Sequence, residues 1–351
     1  MALSTRFPGD PGLGNFYFGG REDQLTWPSS ATAIANWESN MAPWSGGAPL
    51  GIIRQYSNGS ITTGWSGRAT TDTHIAANRL VHVSFKLASG VTQSDCVDQT
   101  VAFTGWMDAL ADAFNAYAPV PIWWTFHHEP ENDANWQGSG EAEYRTVCRN
   151  IKNALVSRGV TNGMFWTTGY MCPYTFGDAG GARDWRAWYP DWKGTTQAGS
   201  SKNNPDPVDF YLPGDPNAVV DGIGLDVYSW WNEGESMTSW DDFETLFDWA
   251  ASRMDFLGLP YNIMEHGVQA YHTGTEGVDA VYVPATTLDY ISGMYDTMTA
   301  RNIVAMQVFN YAIVDQAWRL EIQDPQQIRY EGYGTGMARS ECKLPASLGW
   351  L

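Results

Sequence analysis

Eight times along this chain a short run rich in β-branched and aromatic residues gives way to a loop, and usually then to a helical pattern. The runs occupy residues 15–18 (leading into Gly19-Gly20), 51–56, 80–86, 122–126, 163–168, 220–228, 260–265 and 303–309. Helical periodicity between them covers 31–38, 95–117, 141–158, 241–254 and 285–301. In 95–117 the apolar face is drawn by Val101, Phe103, Met107, Leu110 and Phe114, and Gly159 marks the end of 141–158. Strands that alternate with helices pair in parallel. Eight such units in a chain of 351 residues predict a closed (β/α)8 TIM barrel, not an open sheet. No Gly-rich phosphate loop follows the first run, which counts against a dinucleotide-binding fold. With no Ser/Pro linker and no break in composition, residues 1–351 read as one domain.

Within that frame, 80–86 alternates apolar and polar residues cleanly, as a strand does. Segment 170–216 is too long for an ordinary barrel loop and is rich in Gly, Asp, Pro and Trp, with a helical turn expected at 184–188. Past 309 the chain holds Tyr311, Trp318 and a polar tail.

The fourth run, Ile122 to Phe126, is apolar throughout and then ends in His127, His128 and Glu129, with Pro130 unable to extend the ladder. A buried strand that finishes in ionisable groups points to a site at a strand's carboxyl end, where barrels of this class keep their chemistry. Taken alone, Glu129 reads more readily as a solvated loop residue and the histidines as satisfied polar groups. A second carboxylate changes that balance: Glu265 closes the seventh run as Glu129 closes the fourth, and the ends of strands four and seven face each other across a barrel mouth. Two carboxyl groups flanking one bond are what glycoside hydrolysis needs, one to protonate the leaving oxygen and one to support the oxocarbenium-like centre.

Composition narrows the partner. A formal charge of −19 and a pI near 4.5 exclude the basic footprint that nucleic acid or an anionic membrane surface requires. Eighteen Trp and seventeen Tyr suit both a large core and surfaces that stack on sugar rings, so a neutral polysaccharide is the expected partner. No apolar run approaches the ~20 residues of a membrane helix. Residues 1–11 lack the basic-then-apolar pattern of a signal peptide, so the protein is either not exported by that route or begins after a removed leader. Cys96, Cys148, Cys172 and Cys342 lack zinc-site spacing; a bridge between Cys96 and Cys148 and four unpaired thiols are both open.

His128-Glu129 and Glu265-His266-Gly267 resemble the large clan of retaining glycosidases built on (β/α)8 barrels. Most of that clan places Asn before the acid/base Glu. His128 in that place resembles glycoside hydrolase family 26, best known for endo-β-1,4-mannanases, and Asp226-Val227-Tyr228 is similar to that family's sixth strand, whose Tyr hydrogen-bonds the nucleophile. Two features depart from the pattern: the segment after Glu129, and the aromatic the family places there, for which only Trp136 is present. Both bear on sugar specificity.

The resemblance implies Glu129 as general acid/base and Glu265 as nucleophile, with His128 orienting Glu129 or touching the sugar and Tyr228 positioning Glu265. Arg54, the cation of the second strand, either stabilises the nucleophile's charge or serves a structural ion pair. Trp318 is the expected floor beneath the sugar at the cleavage point, Trp136, Trp230 and Trp231 are stacking candidates, and His127, Asp226 and His266 are supporting ones. No metal and no organic cofactor is implied. The expected protein is a monomeric retaining endo-β-glycosidase, extracellular or borne on a phage virion, acting on β-1,4-mannan. Xylan, mixed-linkage β-glucan and a bacterial envelope glycan are the alternative substrates. Two other classes stand beside it: a non-catalytic carbohydrate-binding barrel, and a metal-dependent hydrolase using His127, His128, Glu129 and His266. The latter lacks the His-x-His such barrels carry on strand one.

Overall fold

The computed structural model describes residues 7–21, 30–127, 140–167, 170–172, 220–229, 242–255, 258–268, 272–273, 281–282, 284–308 and 328–350. Eight strand positions follow one another around a cylinder: β1 (Tyr17–Arg21), β2 (Ile52–Ser60), β3 (Leu80–Lys86), β4 (Ile122–Phe126), β5 (Gly163–Phe165, resumed at Tyr170–Cys172), β6 (Ile223–Ser229), β7 (Tyr261–Val268) and β8 (Ile303–Val308). Helices α1 (Ser30–Ser45), α2 (Arg68–Ala76), α3 (Gln93–Asp98), α4 (Val101–Tyr117), α5 (Glu141–Ser157), α6 (Phe243–Met254), α7 (Pro284–Ala300) and α8 (Ile328–Met337) lie between and after them.

Every contact between neighbouring barrel strands is parallel, from β5 through β4, β3, β2, β1, β8 and β7 to β6. The two ends of that path meet in the β5 segment. Trp166 bridges Gly222, the Asp221 amide donates to the Phe165 carbonyl at 2.8 Å, and the Thr167 amide donates to the Gly222 carbonyl at 3.0 Å. Further along, Tyr170–Cys172 pairs with Leu225, Asp226 and Val227. The sheet is therefore a closed (β/α)8 barrel, as the eightfold recurrence predicts. Glycine is required at the seam, since a Cβ on Gly222 would stand 2.3 Å from Cζ3 of the buried Trp166 ring.

Strand alternation sorts the residues into two layers. Phe18, Ile53, Val83, Trp124 and Ile263 face outward and join the helices in the main core. Tyr17, Ile52, Leu80, Trp123, Met164 and Val304 fill the lower lumen, where Phe7 closes the floor against Trp123 and Trp166 at 6.3 Å each. Above them lies a polar layer. His82 Nδ1 accepts from Gln307 Nε2 at 3.1 Å while its Nε2 meets Thr125 Oγ1 at 3.0 Å, and Gln307 also donates to Asn262 at 2.9 Å. Burial, then the nearby charge of Arg54, pushes the His82 pKa well below its usual value and keeps it neutral.

The alternation expected over 80–86 is present, with His82 and Ser84 buried in the lumen and Lys86 exposed. Other expectations need correction. The helix expected over 95–117 is two. Thr92 and Asp95 form a capping box for α3, Gln99 takes a left-handed φ of 52°, and α4 starts afresh, leaving Val101 89% exposed instead of on the buried face. Segment 170–216 is not wholly loop, because its first three residues extend the fifth strand; the turn expected at 184–188 lies outside the described residues. The tail carries α8, whose Tyr330, Tyr333 and Met337 are buried, and Cys342 bridges Phe16 beside β1. Cys96 and Cys148 are both free and buried, so no disulfide joins α3 to α5, and burial pushes the Cys96 thiol up to about 12. No helix among the described residues is long and apolar enough to cross a membrane.

Gly222→Ala is expected to force the Trp166 ring off its seat and lower unfolding free energy by about 1–3 kcal/mol, measured by urea denaturation. An unchanged midpoint would contradict the seam described.

Candidate active site

The site grows from an irregularity in β7. Regular alternation places Asn262 inward, bonded to Gln307, and Ile263 outward among the helices. Met264 turns inward again into the luminal cluster, so Glu265 ought to face out. It does not, because β7 carries one extra residue at this point. On one side Leu225 pairs with Ile263 but Asp226 with Glu265; on the other, Met306 pairs with Ile263 but Val308 with His266. A bulge of this kind re-aims the side chain that follows it. Glu265 is thus brought into the lumen at 3% exposure, and His266 resumes the outward direction.

Two residues of β2 meet Glu265, and Asp226 of β6 meets one of them. Arg54 on β2, fully buried, donates from Nη1 to the Met264 carbonyl at 2.7 Å and to Glu265 Oε1 at 3.3 Å, and from Nη2 to Ser84 Oγ at 3.4 Å. Asp226 on β6 places Oδ1 3.9 Å from the same Nη1. The Tyr56 hydroxyl also donates to Glu265 Oε1, and the Tyr56 ring lies 4.6 Å from the Arg54 guanidinium carbon, a cation–π distance. The constellation holds one cation between two carboxylates, with a hydroxyl and a phenol completing the contacts. Such an arrangement holds one carboxylate in a fixed, charge-stabilising place inside a water-poor lumen.

Of the residues singled out in sequence, Glu265, Arg54 and Asp226 are brought together. Tyr228 occupies β6 opposite Gly267, and its side chain lies outside the described part. His127 follows β4 with a left-handed φ of 56°, its amide bonded to the Phe85 carbonyl at 2.9 Å, so the chain turns sharply where the fourth strand ends. His128, Glu129, Trp136, Trp230, Trp231 and Trp318 lie outside the described residues. His266 must be corrected, because it is not a supporting site residue. It stacks on Tyr290 at 6.0 Å and 5°, meets Phe243 and Tyr333 edge-on, and bonds the Val227 carbonyl through Nδ1 at 2.9 Å, all in the helix layer outside the barrel wall. The proposed metal set of His127, His128, Glu129 and His266 loses its last member for the same reason. Tyr56 was not singled out in sequence. Its signal was its place two residues beyond Arg54, which puts both on one face of a strand.

Burial lowers the His266 pKa to about 4, the Val227 contact opposing only in part. The folded form therefore prefers neutral imidazole, while the unfolded chain takes up a proton below about 6.5. Stability is expected to fall as pH drops from about 6.5 to about 4, by about 1.4 kcal/mol per unit from this group. Urea unfolding at stepped pH should show His266→Phe with a flatter slope than the wild type through that window. Equal slopes would contradict the assignment.

No protein-family model matches the sequence, and no curated protein matches it. Solved structures do match the fold. A GH26 β-mannanase from Bacteroides ovatus superposes with a TM-score of 0.52 at 15% identity, over 93% of this chain and 89% of that one. The catalytic domain of a GH26 endo-β-1,4-mannanase from Bacillus sp. JAMB-750 gives 0.54 at 14% identity, over 96% and 89%. The β-glycosidase of the hyperthermophile Thermosphaera aggregans gives 0.56 at 9% identity, over 95% and 98%. The barrel is thus of the kind that these glycoside hydrolases share, over nearly the whole chain.

Proposed function

We propose that this chain is a retaining endo-β-glycosidase of the (β/α)8 clan, with β-1,4-mannan favoured over xylan, mixed-linkage β-glucan or a bacterial envelope glycan. The observation that carries the reading is Glu265. A bulge turns it into the lumen near the carboxyl end of β7, and Arg54 and Tyr56 both donate to it. Side chains at strand carboxyl ends are where such barrels do chemistry. The structural likeness to enzymes described as GH26 β-mannanases favours mannan, and His128 before Glu129 favours the same family.

In this reading a Glu265 oxygen attacks the anomeric carbon as Glu129 gives its proton to the leaving glycosidic oxygen. Water, deprotonated by Glu129, then attacks the same carbon, and the bond to Glu265 breaks with its electron pair returning to the carboxylate. Two inversions give net retention, which calls for the two carboxyl groups about 5–5.5 Å apart. Arg54 stabilises the nucleophile's charge, while Asp226 sets the position of Arg54. His128 would orient Glu129, Tyr228 would add a further donor to Glu265, and Trp318, Trp136, Trp230 and Trp231 would supply stacking faces for sugar rings. A protein working on such polymers as a monomer outside the cell or on a virion suits its acidic, aromatic-rich composition.

Glu265→Ala and Glu129→Ala are each expected to cut reducing-sugar release from mannan by at least about 10²–10⁴-fold while leaving the chain folded, with a lower melting transition in Glu265→Ala, which strips buried Arg54 of an acceptor. On a dinitrophenyl β-glycoside, whose leaving group departs without a proton, azide should restore turnover in both, giving an α-glycosyl azide from the first variant and a β-glycosyl azide from the second. Near-normal turnover in either variant, or binding without hydrolysis by the wild type across a broad glycan panel, would overturn the proposal.

A further inference from the structure

Two donors to Glu265 from the described residues converge on one oxygen: Arg54 Nη1 and the Tyr56 hydroxyl each bond Oε1. Tyr56 and Arg54 are two residues apart on β2, so their side chains leave the strand on one face, and the ring is held by the guanidinium 4.6 Å away. Arg54 is in turn pinned by the Met264 carbonyl and Ser84, so the phenol stands on a fixed base. Tyr56 is only partly buried, whereas Arg54 below it is fully so. The hydroxyl therefore meets Glu265 at the level where the lumen opens.

We infer that Tyr56 is a positioning residue that reserves Oε1 of Glu265 as the oxygen that does not bond to the sugar, and that it speeds the second half of the reaction. This rests on the glycosidase reading above and goes beyond it by assigning a step. If Oε1 is occupied by donors, Oε2 forms the bond to the anomeric carbon and Oε1 becomes the ester carbonyl. In the first step negative charge leaves Glu265, so a donor on Oε1 stabilises the starting carboxylate more than the transition state. In the second step water's oxygen bonds to the anomeric carbon, the C–Oε2 bond breaks, its electron pair returns to the carboxylate and water's proton goes to the base. Charge then builds on Oε1 as well, and a donor already aimed at it favours that transition state. Removing the Tyr56 hydroxyl should slow deglycosylation and spare glycosylation.

The test uses the full chain with the 2,4-dinitrophenyl β-glycosides of mannobiose, cellobiose and xylobiose, whose leaving group makes the second step limiting. On whichever the wild type cleaves, Tyr56→Phe is expected to lower kcat about tenfold, the size of one charged hydrogen bond. KM should fall by a similar factor, leaving kcat/KM within about threefold of the wild type. Intact-protein mass spectrometry at steady state should show the added mass of one glycosyl unit on the variant. Tyr56→Leu, which also takes the ring off Arg54, should lower kcat/KM too, and that separates the hydroxyl's role from the ring's. Equal losses of kcat and kcat/KM in Tyr56→Phe without accumulated intermediate, or an unchanged kcat, would overturn the assignment while leaving the glycosidase reading intact. A wild type inert toward all three glycosides and toward the polymer panel would remove that reading, and this inference with it.

Discussion

Taking a guanidinium out of water costs several kcal/mol, and Arg54 is fully buried inside the barrel. That cost is offset only where the surrounding groups accept its charge in good geometry. Here the Met264 carbonyl, Glu265 Oε1 and Ser84 accept its protons, and Asp226 stands 3.9 Å away. The dependence runs both ways. Without the cation, two carboxylates of 0% and 3% exposure would share a low-dielectric lumen, which neither desolvation nor mutual repulsion allows. Arg54 also touches the backbone of the bulge that turns Glu265 inward, so one side chain ties the second strand to the irregular point of the seventh.

The lumen is graded along its axis. Its floor is apolar and aromatic, closed by Phe7, and its middle is a neutral network in which His82, Thr125, Asn262 and Gln307 are hydrogen-bonded to one another. Among the described residues, Arg54, Asp226 and Glu265 stand above that network. A neutral His82 beneath Arg54 matters, since a second positive charge there would compete for the same carboxylates, and burial together with Arg54 keeps it uncharged. The local balance of one cation against two carboxylates sets the chemistry that the site can perform.

Much of this was legible in the sequence for a definite physical reason. Buried parallel strands are long apolar runs, and Ile122 to Phe126 and Leu80 to Lys86 have the observed bounds because nothing else in their neighbourhood competes for that pattern. Glu265 and Arg54 could be singled out because charge at the end of, or inside, such a run is rare. What escaped detection depends on pairing, not on composition. The bulge in β7 is visible only as a shift in register against β6 and β8, and without it His266 looks as near the site as Glu265 does. Tyr56 was passed over because aromatic residues are ordinary in strands, and only the fold shows that its hydroxyl meets a carboxylate more than two hundred residues away. The break at Gln99 was hidden because neither Gly nor Pro marks it, and the left-handed φ of 52° there is taken by a glutamine. Cys96 and Cys148 were open to pairing in sequence, yet the folded chain leaves both free.

The central claim is that Glu265 is the nucleophile of a covalent, retaining reaction. It is tested most directly by incubating the protein with dinitrophenyl 2-deoxy-2-fluoro β-glycosides, whose second step is slow enough to trap the intermediate, and mapping the labelled peptide by mass spectrometry. One fluoroglycosyl group on the peptide that contains Glu265, released on transfer to an acceptor sugar, is the result the account predicts. Stoichiometric labelling at any other residue, or steady turnover of natural substrate by a protein that never becomes labelled, would contradict it.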